Sequence, residues 1–138
     1  MAAADLPLLK PALYQTAGTE VTPERPALLG GECACGYWFF PLQTYGCERC
    51  GSREIKPRAL SGTGALLASA QVHRHAGKSR EAPFTVCSVA LDDGPVVRTL
   101  IVEGCGPLTV GQRMGTTLAP VTDLEGRAAL DLRFEPET

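Results

Sequence analysis

Cys33-Ala34-Cys35-Gly36 and Cys47-Glu48-Arg49-Cys50-Gly51 are the two stretches whose reading decides the fold. Eleven residues separate the cysteine pairs, and a glycine follows each of them. Two pairs folded together by a short hairpin supply four thiolates, the donor set of a closed structural zinc site. With Zn–S bonds of about 2.3 Å, tetrahedral geometry places neighbouring sulfurs roughly 3.7 Å apart. A one-residue spacer in an extended strand meets that spacing, because side chains i and i+2 share a face. The glycines let the chain turn tightly beside the metal. Residues 31–58 therefore read as a zinc ribbon with Cys33, Cys35, Cys47 and Cys50 as ligands. Four thiolates leave the metal no position for water or substrate, so its role reads as structural and not as Lewis-acid chemistry. The spacing also admits a rubredoxin-like iron site and, with it, electron transfer.

The alternative use of these cysteines is disulfides, which suit secreted chains. Residues 1–10 lack the basic start and apolar run of a secretion signal, so the reading is reduced thiols in the cytoplasm. Cys87 and Cys105 stand alone in apolar or glycine-rich surroundings and read as small core residues. A net charge of −2 over 138 residues argues against a general polyanion binder. No apolar run approaches the roughly 20 residues that span a bilayer, so no membrane association is expected. Fifteen glycines and eleven prolines, spread along the chain, favour short strands and turns.

Three parts follow from the texture of the chain. Residues 1–30 form an arm with apolar patches at 6–13 and 27–29. Only 8–14 has the makings of a helix there, and Pro11 limits it to a turn or two. Two readings stay open for this arm: a loose tail, or a segment lying on a partner. Residues 31–58 are the ribbon, whose hairpin arm Tyr37-Trp38-Phe39-Phe40 ends at Pro41. Five of the eight aromatics (these four and Tyr45) fall in this hairpin, more than so small a unit can bury alone. Tyr37, Trp38, Phe39 and Phe40 are accordingly candidate contacts with a second domain or a partner. Residues 59–138 alternate strand patterns with turn signals: strands at 65–75, 83–91, 96–103, 115–121 and 128–135, the second and third paired as a hairpin. Five short strands after the glycine-rich Ser61-Gly62-Thr63-Gly64 fit a small OB-type barrel. The fold class is mostly β.

A ribbon followed directly by such a barrel resembles the acyl-CoA-associated family of rubredoxin-like zinc ribbons joined to OB folds. The matching stretches are Cys35-Gly36, Phe40-Pro41, Cys47-x-x-Cys50-Gly51-Ser52, Leu60-Ser61-Gly62-Thr63-Gly64 and Val72-His73-Arg74. Pro83-Phe84 leading to Val89-Ala90-Leu91-Asp92-Asp93-Gly94, and Leu108-x-x-Gly111-x-x-Met114, complete the pattern. The resemblance runs from about residue 28 to the end. It departs at the first knuckle, where the family has Cys-x-x-Cys-Gly and this chain has Glu32 three positions before Cys35. Either Cys33 or Glu32 completes the ligand set, and thiolate outcompetes carboxylate for zinc. Members are small partners of thiolase-fold subunits, and the resemblance implies a non-catalytic accessory subunit in a hetero-oligomer acting on acyl-CoA. The short leucine-bearing arm resembles the small subunit of benzoylsuccinyl-CoA thiolase, the anaerobic aromatic-degradation type. In such complexes the large subunit carries the catalytic groups, and the small one helps hold the coenzyme A ester.

Residues 73–80 collect both histidines and Arg74, Lys78 and Arg80. A cationic loop at a barrel mouth suits the phosphates of coenzyme A, and these three residues are the candidate contacts. A solvated loop explains the same charges. His73 and His75 would share a strand face, but two ligands without a third make a poor metal site. Gly62-Thr63-Gly64 is followed by a strand and not a helix, so it reads as a bend and not a phosphate loop. No serine, histidine and acid arrangement can be read from the sequence, and no catalytic residue is assigned. The competing class is a nucleic-acid-binding module, against which the composition argues. Barrel stacking needs aromatics, but residues 59–138 hold only Phe84 and Phe134. It also needs a positive groove, but residues 81–138 carry nine acids and four bases.

Overall fold

Tight turns set the strand boundaries. The structure is a computed structural model that describes residues 6–72 and 84–137. Within them lie β1 (Tyr14–Gln15), β2 (Ala27–Cys33), β3 (Trp38–Phe39), β4 (Ile55–Leu60), β5 (Thr63–Val72), β6 (Phe84–Leu91), β7 (Val96–Leu100), β8 (Arg113–Thr122) and β9 (Ala128–Pro136). No helix occurs among the described residues. The β6–β7 hairpin closes where the Leu91 carbonyl accepts from Gly94 N–H at 2.9 Å, with Gly94 at φ +116°. That left-handed conformation is open to glycine and costly for other residues. The β8–β9 hairpin is tied by Asp123 Oδ1, which accepts from the backbone N–H groups of Glu125 and Arg127 at 2.9 and 2.8 Å.

Five strands curl into one sheet in the order β7-β6-β5-β8-β9, every neighbouring pair antiparallel. A parallel bridge between Ile101 and Phe134 brings the β7 end against β9. This is the OB connectivity, with its third and fifth strands meeting in parallel. The five strands expected from the sequence all occur. The third is shorter, ending at Leu100, and the fourth begins earlier, at Arg113. The second sheet holds β1, β3 and β4 around β2, which pairs with all three.

Phe134, Leu60, Leu66, Met114 and Val89 are essentially sealed from solvent. One core cluster joins them to Tyr14 and to Leu28 on β2, so the ribbon's roots and the barrel share a single interior. The turn into the barrel is a place of close backbone approach. A Cβ on Gly62 would strike the Thr116 hydroxyl, and one on Gly64 the Ala90 carbonyl. Thr116 N–H donates to the Gly62 carbonyl at 2.7 Å, and its hydroxyl donates to the Pro26 carbonyl at 2.7 Å. Arg25 lies over Gly115, donating to the Thr116 carbonyl at 2.9 Å and standing 3.7 Å from Glu135.

The N-terminal arm lies on the chain's own barrel. Pro11 leaves a single turn closed by Leu13 N–H to the Lys10 carbonyl at 2.9 Å, with no helix. Leu8 bridges in parallel to Leu130 of β9, and Leu8 and Leu13 pack against the core. Tyr14 fixes the arrangement. It is 3% exposed, and its hydroxyl donates to the Leu130 carbonyl at 3.0 Å or to Asp131 Oδ1 at 3.1 Å.

Burial pushes the Tyr14 phenol up to about 12 from 10.0; the Lys10 N–H, next in size, lowers it, and the Asp131 carboxylate adds to the rise. Its contribution to stability is therefore complete below the unfolded value of 10.0 and is lost as pH rises through about 12. Tyr14→Phe should cost about 1 kcal/mol at neutral pH and flatten the alkaline fall in stability. Urea titrations from neutral to strongly alkaline pH measure both. An unchanged alkaline slope in the variant would refute the assignment.

Candidate metal centre

Cys33 ends β2, and the chain then reverses in a turn closed by Gly36 N–H to the Cys33 carbonyl at 2.8 Å. The second knuckle closes one residue wider, with Gly51 N–H donating to the Cys47 carbonyl at 2.8 Å. Gly36 and Gly51 sit at φ +93° and +80°, so the glycine after each pair is required by the turn. The sequence reading of Cys33-Ala34-Cys35 as an extended spacer is corrected here. A turn brings the two sulfurs together.

The four sulfurs lie within 4.8 Å of one another, with Cys33 Sγ to Cys50 Sγ at 3.5 Å and Cys35 Sγ to Cys47 Sγ at 3.9 Å. These separations bracket the roughly 3.7 Å of a tetrahedral thiolate site. Cys33 and Cys47 are buried, while Cys35 and Cys50 face solvent and leave the cluster open to an entering ion. Glu32 is not in the cluster: its Oε1 accepts from Arg58 Nε at 2.8 Å, on the alternate side of β2 from Cys33.

The thiols do not ionise equally. At Cys33 the Cys35 N–H favours the thiolate, but burial and the hydrogen bonds with Cys50, Cys35 and Cys47 outweigh it and push the group up to about 12. At Cys47 burial opposes ionisation, yet the N–H groups of Cys50 and Arg49 and the neighbouring thiols hold it down to about 7. Four sulfurs this close cannot all be anionic without a cation among them, so loading a metal expels protons. The donor set is soft, tetrahedral and complete, which suits Zn2+.

A register places the cluster. β2 pairs with β4 from Leu28↔Leu60 to Cys33↔Ile55, and with β3 at Gly31↔Phe39 and Glu32↔Trp38. A Cβ on Gly30 would strike the Phe39 carbonyl, and one on Gly31 would lie 2.6 Å from Phe39 Cζ. The Gly30-Gly31 pair therefore lets the aromatic hairpin close onto β2.

Phe39 is buried and stacks against Tyr37 at 6.0 Å between centroids. Tyr37 donates to Glu48 and has Arg49 5.8 Å from its ring centre. Trp38 and Phe40 pack partly buried against the shared core, and Arg58 stands 5.9 Å from the Trp38 ring. Much of the hairpin's aromatic surface is thus used within the chain; Tyr37, Trp38 and Phe40 stay partly exposed, and Tyr45, 81% exposed, is the most open of the five. Cys87 is a core residue on β6 whose thiol burial pushes up to about 11, and Cys105 packs half-buried beside the same core. Arg74, Lys78 and Arg80, with His73 and His75, lie outside the described residues.

A cleft of about 590 Å3 beside the knuckle is lined by Glu32, Cys33, Arg53, Lys56 and Arg58 among others. Sequence inspection did not find it, because only the antiparallel β2–β4 register sets residues 53–58 beside 32–34.

No family model and no curated protein matches this chain. Among solved structures, the chain is similar to one named "Ltp2-ChsH2(DUF35) aldolase", with TM-score 0.59, 24% identity, and coverage of 78% of this chain and 84% of that one. That likeness establishes a shared fold.

Cys47→Ser should abolish tetrahedral binding of cobalt(II), read from the thiolate charge-transfer and d–d bands that the wild-type chain gives. Retention of the full spectrum by the variant would remove Cys47 from the ligand set.

Proposed function

We propose that this chain is a non-catalytic, zinc-holding accessory subunit of a thiolase-type complex acting on acyl-CoA. Its arm (1–30), rubredoxin-like ribbon (31–58) and OB domain (59–138) act as one body beside a thiolase-fold large subunit. The observation that carries the reading is the four-sulfur cluster rooted in the same core as an OB barrel. The fold shared with the DUF35 aldolase supports it. Cys33, Cys35, Cys47 and Cys50 hold the metal, which fixes the knuckles to each other and supplies no reacting position. The substrate class is a 3-oxoacyl-CoA or related thioester undergoing C–C cleavage or condensation, with benzoylsuccinyl-CoA thiolysis as the particular reaction. The surfaces that Tyr37, Trp38 and Phe40 leave exposed, continued by Tyr45, face the large subunit. Arg74, Lys78 and Arg80 pair with the phosphates of the coenzyme A ester.

Affinity capture of the tagged chain from its native cells, with mass spectrometry of what co-purifies, tests the reading. A stoichiometric thiolase-fold protein is the expected result. Nucleic acid as the retained species would replace it. Cys47→Ser should lose that partner together with the metal, and a metal-free variant that still binds would remove the structural role. In the assembled complex, Arg74→Ala with Lys78→Ala should weaken binding of the acyl-CoA by about tenfold or more. Unchanged affinity at every salt concentration would return that loop to solvent.

A further inference from the structure

The sheet edges of this protein are not equally guarded. β4 presents Lys56, Pro57 and Arg58 along its outer edge, and β8 carries Pro120 beyond its last contact with β5. Charges and prolines of this kind keep an unpaired edge from recruiting another strand. β5 has neither. It pairs with β8 only at Thr63↔Gly115, Gly64↔Met114 and Ala65↔Arg113, with Leu66 then bonded to Gln112 and Gly111. From Leu67 to Val72 its other side continues alone with β6, through Ala68↔Ser88 to Val72↔Phe84. Among the described residues, no backbone group pairs with the outer edge of 67–72.

This edge is also bare on both faces. Leu67, Ala68, Ser69, Ala70 and Gln71 are all exposed, so neither the even nor the odd side chains of the strand lie on the core. The side chains are small or uncharged, and no charged residue occurs anywhere from 59 to 72. Leu67, 46% exposed, is an apolar side chain at the end nearest the barrel. The β5–β6 register shifts between Leu66 and Ala68, the place where the contacts toward β8 end and the overhang begins.

We infer that β5 docks a second copy of this chain, edge to edge and antiparallel about a two-fold axis. Directly opposed residues in an antiparallel pair have the same hydrogen-bonding orientation, so two identical strands meet with the axis on a residue. An axis at Ser69 opposes Ser69 to itself, Ala68 to Ala70, and Leu67 to Gln71. An axis at Ala70 opposes Ala70 to itself, Ser69 to Gln71, and Ala68 to Val72. Neither register sets like charges opposite each other or crowds large side chains, which is the self-complementarity an isologous contact requires. The pairing joins the two barrels through one continuous sheet and satisfies the open edge of each.

Sedimentation velocity of the metal-loaded full chain, from micromolar to millimolar, tests this together with hydrogen exchange over 67–72. The expected result is a monomer–dimer equilibrium in which the 67–72 amides become protected as the dimer forms. Ser69→Lys sets two lysines opposite each other on the Ser69 axis and one diagonal apart on the Ala70 axis, and Gln71→Pro removes an N–H that faces away from β6. Both should sediment as monomers while keeping the cobalt spectrum and circular dichroism of the wild type. A wild type that stays monomeric with rapidly exchanging 67–72 amides would overturn the inference, as would a dimer untouched by Ser69→Lys. If instead Ser69→Lys releases a different protein that co-purifies with a monomeric wild type, the edge belongs to that protein's strand and the self-pairing is refuted.

Discussion

The antiparallel pairing of β2 with β4 is the constraint on which the rest of the structure depends. At one end it sets Leu28 opposite Leu60, inside the core shared with the barrel. At the other it sets Cys33 opposite Ile55, at the edge of the sulfur cluster. A metal held by the four cysteines therefore acts on the barrel through six paired positions of one ladder. Neighbouring backbone hydrogen bonds along such a ladder support one another, so loosening one end weakens the other. Gly30 and Gly31 let β3 close on β2 beside this ladder, since Phe39 lies where a Cβ would be.

Polar groups lock the remaining seams. Arg25, Thr22 and Thr116 tie the segment before β2 to the mouth of the barrel, and Tyr14 ties the arm to β9. Asp92 accepts from both Thr63 and Arg113, joining the β6–β7 turn to β5 and β8. The guanidinium beside it, with the Thr63 hydroxyl, holds this carboxyl below the usual range despite some desolvation. Both partners of that ion pair are more than a third exposed, so its net contribution is small beside the buried tyrosine. The seams that matter most are those that water does not reach.

Local chemistry explains why so much was legible beforehand. The cysteine spacing announced the cluster, because four thiols at those intervals have few other uses in one hairpin. Glycine, proline and aspartate at 92–95 and 123–126 announced the hairpins, because those residues accept conformations that others resist. The arm was different. Its leucines were visible, but their destination on Leu130 depends on a strand more than a hundred residues away. The first knuckle was also misread, since an extended spacer and a tight turn both bring two sulfurs together across one residue.

The sequence by itself determined the two close cysteine pairs, the succession of the five barrel strands along the chain and the absence of charge along 59–72. These are properties of residues and their near neighbours, which short-range sterics and chemistry decide. Tertiary structure alone decided that Glu32 pairs with Arg58 and stays away from the sulfurs, and that the aromatic hairpin packs on its own core. It also decided that β5 outruns its neighbour and leaves an edge uncovered. Those outcomes depend on register between distant strands, and a register is fixed by the whole core at once.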